Sequence, residues 1–121
     1  MTPEQKSKAQ RIIERQLEMS GGTLEALHRA GLKDDREIQI EFFFNAPNRA
    51  AADALVSHLE KNDCLDLKLE RSGGFLSRKF SVAGKTHPTV VTVQVLAQWI
   101  PWMVIQGVTH DCEFDGWGAE V

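Results

Sequence analysis

Cysteine is scarce in this sequence. Cys64 and Cys112 are the only two, and they lie far apart, which excludes the disulfide framework of a small secreted domain and fits a reducing compartment. No apolar run approaches the roughly 20 residues that a bilayer requires, and the opening Thr2, Pro3 and Glu4 lead into polar sequence rather than into a secretory signal. A cytoplasmic location without membrane association is therefore expected. An excess of one charge is also missing: 14 basic against 17 acidic side chains leave a net charge of −3. That counts against a general nucleic-acid binder, whose affinity rests on neutralising phosphates. Neither Cys-x-x-Cys nor His-Glu-x-x-His occurs. No cofactor, no metal and no enzymatic activity are expected.

What is present is an ordinary globular composition. With 42% hydrophobic and 26% charged residues, a chain of 121 residues can bury one core. A single domain over 1–121 is expected, with a helical extension over 1–34 and a core over 35–121. Thr2-Pro3-Glu4-Gln5 is a helix start, with a cap, a proline in the first turn and a glutamine placed to reach back to the cap. Ala9, Ile12, Ile13 and Leu17 continue it at helical spacing until Gly21-Gly22. A second helix is expected from Thr23, carrying Leu24 and Leu27 and closed by Gly31.

From Glu37 to Phe44 the apolar period changes to two, and a strand is expected with Ile38, Ile40, Phe42 and Phe44 on one face. Asn45-Ala46-Pro47 should break it. Asn48 then caps a helix whose apolar stripe is Ala52, Leu55, Val56 and Leu59, ending near Asn62. Leu65, Leu67 and Leu69 alternate with charged residues as a second strand. Ser72-Gly73-Gly74 makes the turn into a third, over 76–83, with Phe80 and Val82 inward. The stretch 89–106 mixes valine-rich strand propensity with helical spacing of Leu96, Ile100 and Met103, and extended chain to Thr92 followed by helix reconciles the two. Pro101 falls inside that helix, and Gly107 is its expected end.

The last eleven residues, Asp111 to Val121, read as a strand interrupted once. Cys112 and Phe114 set one parity, whereas Trp117, Ala119 and Val121 follow the other, and Asp115-Gly116 sits at the slip. One extra residue restores a common face, and glycine supplies the backbone that a bulge needs. The rival is an Asp-Gly hairpin turn, with five residues left for a return strand. With this strand beginning at His110, the order after the two helices is βαββαβ. That implies an α+β fold of ferredoxin-like type, an antiparallel four-stranded sheet with two helices on one face.

The terminal EFDGWG at 113–118, the phenylalanine strand EFFF at 41–44 with its alanine-rich helix, and QRIIERQL at 10–17 together resemble the ribonuclease E inhibitor B family, the RraB-like regulators of ribonuclease E activity. The resemblance implies a small cytoplasmic, non-enzymatic protein that binds ribonuclease E outside its catalytic core and alters RNA turnover. It assigns the structural motif to Phe114, Asp115, Gly116, Trp117 and Gly118. Well-known members are strongly acidic, whereas this sequence is only mildly so.

Residues with other chemistry are few. His110 and Cys112, two apart on the expected last strand, share a face and offer two metal ligands, short of the four that a structural site uses. A buried thiol is the plainer reading of Cys112. His28, His58 and His87 fall on separate elements and read as solvated, and Gly73-Gly74 reads as a turn between strands. Among the aromatics, Trp117 is expected in the core, while Trp99 and Trp102 divide between core and surface. Phe43 points away from Phe42 and Phe44, so either the N-terminal helices cover it or it is exposed. A protein-binding reading takes Phe43, Trp102 and the acidic Asp34, Asp35 and Glu37 as contacts to a basic partner segment. An RNA-binding module, with Phe43 as a stacking residue beside Lys68 and Lys79, is the alternative.

Overall fold

The computed structural model describes residues 1–73 and 79–121. The Ser72-Gly73-Gly74 turn and the start of the third strand fall partly on 74–78, outside the described residues. The fold is α+β, with antiparallel sheets and three helices among the described residues. No helix there is long and apolar enough to cross a membrane.

The N-terminal segment is one helix, α1 (Pro3–Arg29), where two were expected. Its start follows the sequence signal: Gln5 N–H donates to Thr2 Oγ1 at 3.1 Å, and Thr2 N–H donates to Gln5 Oε1 at 2.9 Å. Gly21-Gly22 does not stop it. Each glycine costs roughly 1 kcal/mol relative to alanine in a helix. Beyond them, Leu24 and Leu27 are buried, and each such burial is worth about 1.5–3 kcal/mol. The buried stripe Ile12, Gln16, Ser20, Leu24 and Leu27 is therefore unbroken. Thr23, expected as a cap, instead donates its hydroxyl to Met19 O at 3.4 Å. The helix ends where Gly31 was placed: Gly31 N–H donates to His28 O at 3.1 Å and Leu32 N–H to Leu27 O at 3.0 Å. These two bonds form a Schellman motif, and its glycine has φ +115°.

The expected strand over 37–44 is two elements. β1 (Glu37–Ile38) and β2 (Glu41–Ala46) are separated at Gln39-Ile40, and β2 runs through Asn45 and Ala46, where a break was expected. Ile40 turns from sheet pairing to Thr86, donating to Thr86 Oγ1 at 3.0 Å and accepting from Thr86 N–H at 2.9 Å. Next come α2 (Arg49–Lys61), β3 (Leu65–Arg71), β4 (Phe80–Lys85), β5 (Thr89–Val90), α3 (Val93–Thr109) and β6 (Glu113–Gly118). Asn48 caps α2 and Thr92 caps α3, each side chain accepting a backbone N–H. β1 pairs with β5 in a two-stranded ribbon, and the main sheet has the order β3-β4-β2-β6, antiparallel throughout.

Phe42 and Phe44 of β2, Val82 of β4 and Phe114 of β6 form the buried sheet face, together with Ala52, Leu55 and Leu59 of α2 and Leu96, Ile100, Met103 and Val104 of α3. Helix α1 packs on α3 and reaches β6 rather than covering the opposite sheet face. Gly107 is interior to α3, not its end. A Cβ there would meet Phe44 Cε1 at 2.8 Å and Cys112 O at 3.0 Å, so the residue is glycine because the sheet comes too close for anything larger. His110 caps the helix and does not begin the last strand. In β6 the bulge lies where alternation slipped. Phe43 pairs with Gly116 and Phe44 with Phe114, which leaves Asp115 extra, and Gly116 has φ +145°. The strand continues beyond Gly116, so the hairpin reading fails.

Candidate functional site

Strand alternation puts Glu41, Phe43 and Asn45 on the face of β2 turned away from the helices. Phe42 and Phe44 are fully buried, whereas Phe43 is 38% exposed. Its cross-strand partners are Ala83 on β4 and Gly116 on β6, both too small to shield the ring. Around it the partners are charged or polar: Lys68 stands beyond Ala83, Glu41 opposite Lys85, Glu70 opposite Ser81, and Asn45 opposite Glu113. Among the described residues, the face is thus one aromatic in a field of mixed charge. Two shallow clefts flank it and share Glu41 and Lys85 on their walls. One is lined by Arg36, Glu37 and Gln39, and the other by Asp66 and Lys68.

The expected contact residues are dispersed. Glu37 lies in the first cleft, one wall of which leads through Glu41 to Phe43. Asp34 and Asp35 are exposed between α1 and β1, with Asp34 Oδ1 3.6 Å from His28 Nδ1. Trp102 is in the helical layer, 37% exposed, and its ring stacks on that of His58 with centroids 6.5 Å apart. One flat partner therefore cannot cover both Phe43 and Trp102. Trp99 packs inward between Phe42 and Phe114, at 6.4 and 5.9 Å. Trp117 is partly buried against the core, and its indole N–H donates to Ser20 Oγ at 2.9 Å. Within the terminal motif, Phe114 is buried, Asp115 exposed, and Gly116 and Gly118 half-buried.

Cys112 does not share a strand face with His110. It is fully buried, its thiol donating to His110 O at 3.3 Å. Burial first, and Asp111 second, push the thiol up to about 11, which suits a packed thiol and not a nucleophile. Among the described residues, no group of three or more His, Cys, Asp and Glu side chains could hold a metal ion.

One cluster has no counterpart in the sequence reading. His58 of α2 and His110 at the end of α3 lie with ring centroids 5.0 Å apart. Gln106 joins them: its Oε1 is 2.5 Å from His58 Nε2, and its backbone oxygen accepts from His110 Nδ1 at 2.9 Å. Asn62 adds an amide 3.4 Å from His58 Nε2. The sequence carries no local signal for this pair, because the two histidines sit on different helices and meet only through helix packing.

Compared with protein-family models and with curated proteins, the chain finds no match in either.

Proposed function

We propose that this chain is a small cytoplasmic protein-binding regulator built on a ferredoxin-like core, acting on a ribonuclease of the ribonuclease E type and thereby on RNA turnover. The sheet order, with the first and third strands of the βαββαβ run at its centre, supports that core. The observation carrying the binding reading is Phe43. It is a large aromatic on a sheet face that no helix among the described residues covers, ringed by side chains of both signs and bordered by the acidic Glu37. Aromatic anchors inside a polar rim are how protein interfaces concentrate their affinity. The identity of the partner rests on the resemblance of EFDGWG, EFFF and QRIIERQL to ribonuclease E inhibitors.

Titrating the labelled non-catalytic region of ribonuclease E with this chain tests the reading. Phe43→Ser is expected to weaken binding about tenfold or more, equivalent to about 1.4 kcal/mol. Raising salt from about 50 to about 500 mM is expected to weaken it further, since exposed charges are screened. No binding, or binding indifferent to Phe43, would sink the proposal. Tight binding of single-stranded RNA with a steep salt slope would replace it by the RNA-binding reading.

A further inference from the structure

We propose that β3 is a self-complementary sheet edge, to which a second copy of this chain adds antiparallel across a two-fold axis at Leu69. The inference is independent of the partner that the open face around Phe43 takes.

β3 ends the main sheet, with β4 on one side and no strand among the described residues on the other. The first half of this edge is blunted. Its pairing with β4 slips by one residue between Leu65 and Lys68, and Asp66 takes φ +50°, the kind of bulge that keeps an edge from pairing further. From Lys68 to Arg71 the register is regular. Beyond it, Ser72 N–H donates to Lys79 O at 2.9 Å. Hydrogen-bonded and non-hydrogen-bonded pairs alternate along an antiparallel ladder, so Glu70 and Lys68 also turn their backbone groups to β4, whereas Leu69 and Arg71 turn theirs to the free edge. Such an edge accepts an added strand through main-chain bonds, and side chains choose which strand.

Lys68 and Glu70 are exposed on the open face, opposite Ala83 and Ser81 of β4, and neither is in an ion pair among the described residues. Only residues whose backbones point the same way can pair, so a two-fold axis falls on a residue. At Leu69 it sets Lys68 of each copy opposite Glu70 of the other, and the half-buried Leu69 opposite itself. Opposite charges placed so stabilise a strand pair, and like charges oppose it. An axis at Lys68 would set that lysine against itself and Asp66 against Glu70, and one at Glu70 would join two carboxylates. An axis at Arg71 would join two guanidiniums, and one at Leu67 falls in the slip. The free edge thus has one charge-matched register with its own sequence. The contact is isologous, as a two-fold dimer requires, and it puts both open faces on the same side of one continuous sheet.

Sedimentation velocity of the full, untagged chain at low salt, over rising concentration, tests this. The wild-type chain is expected to pass from monomer to dimer. Lys68→Glu and Glu70→Lys are each expected to weaken self-association about tenfold or more, because the two-fold axis repeats each reversed pair. An equimolar mixture of the two variants is expected to dimerise again, since every Lys then meets a Glu across the axis; this recovery also shows that both variants fold. Arg15→Glu, the same change of charge on an exposed position of α1, should leave the dimer unchanged. A wild-type chain that stays monomeric at every concentration overturns the proposal. So does a dimer indifferent to Lys68→Glu, or a mixture that associates no better than either variant alone.

Discussion

The indole N–H of Trp117, near the end of β6, donates to the hydroxyl of Ser20 in the middle of α1 at 2.9 Å, across 97 residues of sequence. The Ser20 hydroxyl in turn donates to Gln16 O at 2.6 Å. The buried hydroxyl therefore acts as both acceptor and donor, and it ties the first helix to the last strand. Ser20→Ala is expected to leave the indole without a partner and to cost about 1–3 kcal/mol, whereas Trp117→Phe keeps the Ser20–Gln16 bond and removes one donor. Denaturant unfolding of both variants checks this. Equal stability of Ser20→Ala and wild type would mean that water replaces the hydroxyl freely.

The glycines of the helices should respond in opposite directions to alanine. Gly21 and Gly22 have no atom within 4 Å of an added Cβ, so alanine at either is expected to stabilise α1 by about 0.5–1 kcal/mol. Gly107→Ala also improves helix propensity, yet its methyl would press on Phe44 at 2.8 Å and on the Cys112 carbonyl at 3.0 Å. A net loss of about 1–3 kcal/mol is expected, as for other overpacked cores. Thermal melts of the three variants decide it.

Pro101 lies inside α3 and cannot donate to the helical ladder. An interior proline costs roughly 3 kcal/mol when nothing compensates. Pro101→Ala is therefore expected to leave stability unchanged or to raise it. A clear fall in the denaturant midpoint would show that the packing of Ile100 and Met103 requires the proline backbone.

The buried thiol makes stability depend on alkaline pH. Cys112 ionises at about 11 in the fold, against an ordinary value of 9.0. Above the ordinary value the unfolded chain loses this proton first. The contribution is therefore complete below 9.0 and is lost as pH rises toward about 11. The stability gap between wild type and Cys112→Ala is expected to narrow as pH rises from 9.0 to about 11. A gap that stays constant would show that the thiol is not shielded.

Where the sequence was legible, local pattern and global packing agreed. The slip in alternation at Asp115-Gly116 told of the bulge, and Thr2, Asn48 and Thr92 marked three helix starts. Gly21-Gly22 misled because local propensity yielded to the continuous stripe that α1 lays on α3. The division of 37–46 into β1 and β2 was invisible for another reason. Ile38, Ile40, Phe42 and Phe44 keep perfect alternation while the backbone changes sheets, so side-chain period carries no trace of the change in pairing. Phe43 as the exposed aromatic could be foreseen from parity alone, with two outcomes left open. The meeting of His58 with His110 could not be foreseen, because nothing local encodes which turns of two helices will touch.

The bulge in β6 also sets how close this domain stands to a different surface. Asp115 is the extra residue that keeps Trp117 opposite Phe42, on the buried side. Without the bulge, Asp115 itself would pair with Phe43 and bring the tryptophan opposite Glu41, onto the side that Phe43 occupies. The bulge thus separates a register with one aromatic among the described residues of the open face from a register with two adjacent ones, which is the minimal stacking platform for consecutive bases.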